Sequence, residues 1–288
     1  MKAVYLKELR SYFTSTLGYI YIAMMLVIFG FYFFLYNLYA GYVDYSYVLS
    51  NVTTLILFAM PVLTMRLFAD ELKSKTDQML FTAPVSTAQI VLGKFFAALT
   101  VFTITVVLTI PQPLTIVGLG GKLPVPRVVG AYIAMYLMGI AFISIGMFIS
   151  ACTNNPVVAL IVSIAVFLLT FISAGLGDLL PSTITFAVGL CIVLLAVLVW
   201  FLYRQIKDVY LSATVGVLGL GGLIALYFLK PSVYNGLVAK ALNWISITAR
   251  YSDFYSGIFT FAHILFYVSL AILFVFLTVQ RIEKRRWS

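Results

Sequence analysis

The chain has 288 residues and a net charge of +9, yet 63% of it is hydrophobic and only 9% is charged, with a mean hydropathy of +1.10. A soluble domain carries about 25% charged residues, and the longest non-apolar stretch here, about 30 residues, is too short to bury a core of its own. The basic residues stand at the ends of apolar segments rather than on one face, which excludes a nucleic-acid surface and makes them signals of membrane topology.

In chain order, the first feature is amphipathic. Val4, Tyr5, Leu9 and Tyr12 fall on one side of a helix and Lys2, Lys7, Glu8 and Arg10 elsewhere, so residues 1–16 are expected to lie in the headgroup layer as an interface helix. Apolar runs long enough to cross about 30 Å of hydrocarbon follow. They cover residues 17–38, 48–68, 90–116, 128–151, 157–176, 183–203, 211–229 and 259–280. The first has no small-residue cleavage site after it and is expected to be a permanent span. The fold class is therefore an all-α integral membrane protein with about eight transmembrane helices in a single domain.

Residues 66–94 interrupt this pattern. Six charges fall between Arg66 and Asp77, namely Arg66, Asp70, Glu71, Lys73, Lys75 and Asp77. Placing them at mid-bilayer would cost on the order of 15 to 20 kcal/mol, so this island lies outside the lipid. Leu72, Thr76, Met79, Leu80 and Ala83 recur on one stripe of a 3.6-residue period, which predicts an amphipathic helix over residues 69–86. Pro84 ends it. Ser86 and Gln89 then stand at capping-box spacing before the next apolar run.

Later segments carry weaker signals. Ile110-Pro-Gln-Pro-Leu114 breaks the third run near its end, as a gate or simply as the end of the span. Gly216, Gly219, Gly221 and Gly222 favour close helix approach in the seventh. Residues 230–258, with Leu237, Ala241, Trp244, Ile245 and Thr248 at helical spacing, read as an outer interfacial segment. With the N-terminus cytoplasmic, thirteen of the 18 basic residues lie inside and five (Lys122, Arg127, Lys230, Lys240 and Arg250) outside, so both termini are expected in the cytoplasm.

No G-x-x-x-x-G-K-[ST] loop occurs, so the chain is not expected to bind ATP itself, and the nine acids are too dispersed to hold a metal. Cys152 and Cys191 read as small core residues and His263 as a packed or interfacial histidine. Catalytic, cofactor-binding and metal-binding residues are not expected.

The island is also where a resemblance emerges. Arg66, Glu71, Thr76, Leu80 and Pro84, followed by Gly93-Lys94, resemble the R-x4-E-x4-T-x3-L-x3-P and later GK pattern of the type-2 ABC exporter permeases. Lys7-Glu8-Leu9 with Phe13 resembles that family's K-E-L-x3-F start, and Ser150 to Asn155 its S-x-x-T-x-N loop. The end of the chain from Arg250, with Phe254, Gly257 and Arg285-Arg286-Trp287, is similar to the branch that includes gliding-motility and nitrous-oxide-reductase maturation permeases. The matches cover most of the chain apart from residues 183–229, an extra hairpin relative to six-span members.

The resemblance implies the transmembrane subunit of an exporter in a bacterial or archaeal cytoplasmic membrane. Its partners would be two copies of a separate ABC ATP-binding subunit, which hold ATP and Mg²⁺, and a second permease in a homo- or heterodimer. Residues 69–86 would be the coupling helix, with Leu72, Met79 and Leu80 as apolar anchors, Arg66 and Glu71 as polar partners, and Pro84 setting the turn. The alternatives are an ATP-independent membrane enzyme or lipid-handling protein, or a non-transporting scaffold.

Overall fold

The computed structural model describes residues 1–76, 85–179, 181, 183–206, 210, 214, 216–218, 220–221, 227, 234, 236–248, 250–251, 254 and 260–287. Among the described residues the regular structure is helical, without a strand. In chain order the elements are α1 (Lys2–Thr14), α2 (Thr16–Phe33) with a π-helical continuation (Phe34–Tyr39), α3 (Ser46–Thr64) and α4 (Ala69–Ser74). They continue with α5 (Thr87–Thr109), α6 (Pro111–Gly118), α7 (Val125–Cys152) and α8 (Pro156–Leu179). The last are α9 (Ile184–Ile206), α10 (Leu237–Ile245) and α11 (Phe261–Trp287).

The chain forms two compact units, Met1–Leu169 with Arg250–Ser288, and Thr170–Ala249. Six helices among the described residues are long and apolar enough to cross a membrane: Thr16–Tyr39, Ser46–Ser74, Thr87–Gly118, Val125–Cys152, Pro156–Ser173 and Phe261–Arg286. They match six of the eight expected runs, each within a few residues. The run at residues 183–203 falls in α9, whose described apolar part, Ile184–Val193, is shorter; the run at residues 211–229 lies largely outside the described residues.

In the larger unit α7 is the central helix and packs on α3, α5 and α11. Small residues on α7 make this possible: a Cβ at Gly139 would collide with the Phe102 ring of α5, and one at Gly146 with the Thr64 side chain of α3. Ala131, Ala134, Met135, Met138, Phe142 and Met147 fill the seams, all fully buried. Hence α3 and α7 each bury 67% of their most apolar window, whereas α11 buries 17% and turns the remainder outward, as a helix facing lipid does.

Helix direction alternates through this unit. The start of α1, the whole of α4, the beginning of α5 and the ends of α7 and α11 converge at one end, where Arg285 Nη1 donates to Asn154 Oδ1 at 3.2 Å. Both chain termini thus belong to the same end. At the opposite end Arg127 Nη1 pairs with Asp44 Oδ2 at 2.9 Å, and Tyr45 donates to Gln112 Oε1 at 2.6 Å across the α3–α6 junction.

In the smaller unit α10 packs on the first turns of α9, burying Ala187, Tyr234 and Val238 together. The helix expected within residues 230–258 is α10, with Trp244 fully outward at 73% exposure. Both cysteines are free thiols; Cys152 is exposed at the end of α7 rather than in the core, and Cys191 is half-buried.

Candidate functional site

The charged island begins where α3 ends. Residues 65–68 form a turn, and the first N–H groups of α4 lack partners within the helix, as at every helix start. Phe68, which stands at the N-cap, has no side-chain oxygen to offer. The cap is supplied from α7 instead: Ser150 Oγ accepts from both Phe68 N and Ala69 N at 3.1 Å and donates to Met65 O at 2.9 Å. Asp70 and Glu71 occupy the first turn and Lys73 the last, the charge order that the helix dipole favours.

The helix is shorter than its pattern predicts at this point. Lys75 adopts the left-handed conformation (φ 56°) and Thr76 N donates back to Glu71 O at 3.1 Å, which closes α4 after Ser74. Leu72 and Thr76 therefore do not share one uninterrupted helix. Asp77, Gln78, Met79, Leu80, Phe81, Thr82, Ala83 and Pro84 lie outside the described residues. On the far side the capping box is formed: Ser86 Oγ accepts from Gln89 N at 3.3 Å and Gln89 Oε1 from Ser86 N at 3.4 Å, starting α5 at Thr87.

Two turns into α5 stands the element that ties the island to the bundle. Gly93 lets α1 lie against α5, since a Cβ there would meet Val4 Cγ1 at 3.0 Å and Tyr5 N at 3.2 Å. The next residue, Lys94, is 1% exposed, and a buried ammonium is stable only when its charge and its three donors are met. Its Nζ lies 3.0 Å from Glu8 Oε1 of α1, 2.9 Å from Glu71 Oε2 of α4 and 2.7 Å from Leu67 O, with the Phe68 ring centroid 5.0 Å away. Lys7 completes the knot from the surface, 3.1 Å from Glu71 Oε1 and 3.6 Å from Glu8 Oε1. Two ammonium groups and two carboxylates balance.

Electrostatics follow from this geometry. Partial burial works against the charged form of Lys7, but Glu71 and then Glu8 outweigh it and hold the ammonium above its ordinary pKa. Tyr12, buried beside the knot, has its phenol pushed up by burial and then by Glu8, so it stays protonated and donates to Leu63 O at 2.8 Å.

A cavity of about 380 Å³ opens next to the knot, with Ser11, Tyr12, Arg66, Asp70, Glu71 and Thr76 among its walls. Arg66, in the turn before α4, and Asp70, in its first turn, pair at 3.6 Å, both about half exposed, an arrangement that contributes at most about 1 kcal/mol.

The structure thus divides the residues singled out by sequence. Lys7, Glu8 and Glu71 meet in the knot, and Leu9 is half-buried on α1. Arg66 and Thr76 stay at the surface, whereas Leu72, expected to project toward a partner, is 3% exposed and packed inside the chain through the contact of α4 with α7. Met79, Leu80 and Pro84 fall outside the described residues. Lys94 and Ser150 appeared in the sequence only as parts of motifs; their structural roles were not read. Lys94 did carry a signal, because a lysine several residues inside a membrane-length apolar run requires an anionic partner.

Chemically, each charge of the knot faces an opposite one. Among the described residues no three His, Cys, Asp or Glu side chains gather as metal ligands. What the arrangement does is mechanical, fastening α1, α4 and α5 at one point while Ser150 fastens α4 to α7. Compared with models of known families and with curated protein sequences, the chain gives no match.

Proposed function

We propose that this chain is the permease subunit of an ATP-driven exporter of the type-2 ABC class. A separate nucleotide-binding subunit, present in two copies with ATP and Mg²⁺, drives it, and two permeases, identical or related, enclose the path. One observation carries the reading. The residues that resemble family motifs at three distant places in the chain, Lys7-Glu8, Glu71 and Gly93-Lys94, are the ones that meet in the knot. Helical periodicity alone does not require such a meeting.

In this reading the knot end faces the cytoplasm, α1 lies at the inner interface, and eight spans, including those at residues 183–203 and 211–229, bring both termini inside. The segment from α4 to Pro84 is the coupling element, with Met79 and Leu80 as anchors and Arg66 as a surface polar contact. Glu71 and Leu72, turned into the chain, fix the base of that element rather than touching the ATPase. Closure of the ATPase pair pushes the element, and the knot and the Ser150 cap pass the displacement to α1, α5 and α7 as one body.

The test is gentle solubilisation from the native membrane followed by identification of what copurifies. A stoichiometric subunit of about 25 to 35 kDa with a phosphate-binding loop is expected. With that pair in hand, Leu80→Asp should abolish mutual stimulation of ATP hydrolysis while membrane insertion is retained. A chain that emerges with no nucleotide-binding partner overturns the reading in favour of an ATP-independent lipid-handling protein or a scaffold.

A further inference from the structure

At the end of the larger unit opposite the knot, the break between α5 and α6 opens a groove. The α5 ladder stops at Thr109, Pro111 begins α6 without an N–H to continue it, and Pro113 follows one residue later. The space between this broken span and α7 is about 640 Å³, walled by Val106, Ile110, Leu114, Val117, Val129 and Ile133, among others.

Its few polar side chains are turned to one another. Tyr136 and Thr103 hydroxyls lie 2.8 Å apart, and those of Tyr132 and Thr109 3.1 Å apart. The wall therefore presents hydrocarbon and no unmet donor or acceptor to its contents. Val107, Leu114 and Val125 on its edge remain more than half exposed, so the chain itself does not cover it.

The rim has the opposite character. The loop that closes the groove, residues 119–124, approaches the segment before α3 at Gly121 and Val43, and the first turn of α7 is tied to the same segment by the Asp44–Arg127 pair. Lys122 stands in this loop next to Leu123, a wall residue, and no ion pair to it occurs among the described residues. Among the described residues Lys122 therefore brings a positive charge without an ion-pair partner to the edge of an apolar slot at a helix end, where a membrane-spanning helix meets the headgroup layer.

We propose that this groove is a binding site for an anionic phospholipid, whose acyl chain lies along α5, α6 and α7 and whose phosphate meets Lys122. The site depends on the membrane-spanning character of the helices and not on the exporter reading. An acyl chain is the occupant that matches both a saturated hydrocarbon wall and a lipid-facing mouth, and the rim charge selects the headgroup.

The experiment is native mass spectrometry of the full chain released from nanodiscs that contain equal amounts of phosphatidylglycerol and phosphatidylcholine. Retained lipid should be enriched about fivefold in phosphatidylglycerol, the scale expected from one lysine near the headgroup plane. Lys122→Gln should remove the enrichment while total retained lipid is unchanged. Val129→Trp, which fills the slot from an exposed position, should lower retention of both lipids, whereas Val27→Trp on the outward face of α2 should not. Equal retention of the two lipids by the unmodified chain, enrichment that survives Lys122→Gln, or lipid-free dimers in which a second copy covers the groove would each overturn the proposal. The Lys122→Gln comparison decides it even if Val129→Trp fails to fold.

Discussion

Lys94 places its Nζ 2.9 Å from Glu71 Oε2, joining a membrane-length helix to the charged island that precedes it. Because Glu8 shares the same ammonium at 3.0 Å, α5 cannot slide past α4 or α1 without separating buried opposite charges. Lys94→Met keeps the length of the side chain and removes its charge, leaving two carboxylates facing Lys7 alone. Loss of one partner from a buried pair costs about 3–5 kcal/mol. Thermal unfolding in mild detergent should show a loss of that order, and Lys94→Met combined with Glu71→Gln should be less damaging than the two separate losses added together. A Lys94→Met chain as stable as the unmodified one would mean that water reaches and solvates the knot.

Ser150 is the second fastening point. Its hydroxyl, fully buried, satisfies the amide of the α4 N-cap Phe68, the first amide of α4 at Ala69, and one carbonyl of the preceding turn. In Ser150→Ala the Phe68 and Ala69 amides lose their acceptor, at about 1–3 kcal/mol for each buried group left unmet. The effect should be local. Hydrogen exchange is expected to quicken across residues 65–74 while the amides of α7 stay protected; unchanged exchange at Phe68 and Ala69 would refute the cap.

Much of this region was legible beforehand for reasons that are local in the chain. The Ser86–Gln89 box depends on residues three apart, and the protected stripe of α1 on a helical period, so both emerge from a sequence window of a dozen residues. The helix stop at Lys75 did not, because lysine has no preference for the left-handed conformation found there. Leu72 shows a second limit: an amphipathic stripe says that one face is covered, not whether the cover is the same chain or another. The knot itself joins residues at positions 7, 8, 71 and 94, and no window contains them together. Only the resemblance gathered these residues under one heading, and it assigned Glu71 to a partner surface rather than to Lys94.

Gly93 controls whether the knot can form. Its missing side chain lets Val4 and the backbone of Tyr5 come within the reach of a Cβ, and Gly93→Val would force α1 away from α5. The Tyr5 hydroxyl would then leave Thr100 Oγ1, now 3.0 Å away, and Glu8 would leave Lys94. A cysteine introduced at Leu9, half-buried on α1, should react faster with a water-soluble maleimide in the Gly93→Val background than in the unmodified one. Equal reactivity would show that α1 accommodates the extra volume in place.

Lys7 gives the knot a pH dependence whose sign can be worked out. Its folded pKa lies above the unfolded reference of 10.5, because Glu71 and Glu8 favour the ammonium more than partial burial opposes it. A raised folded pKa means that the folded chain holds this proton more tightly than the unfolded chain. The stabilisation is therefore complete below the unfolded value and is lost as pH rises through the folded one. Lys7→Met should accordingly be less stable than the unmodified chain by a constant amount from neutral pH up to about 10.5, and the gap should narrow above it. Lys7 is more than half exposed, so the gap should also shrink with added salt, which distinguishes it from the buried contribution of Lys94. A gap that persists unchanged at both high salt and high pH would assign the effect to lost packing of the lysine stem along α1 rather than to its charge.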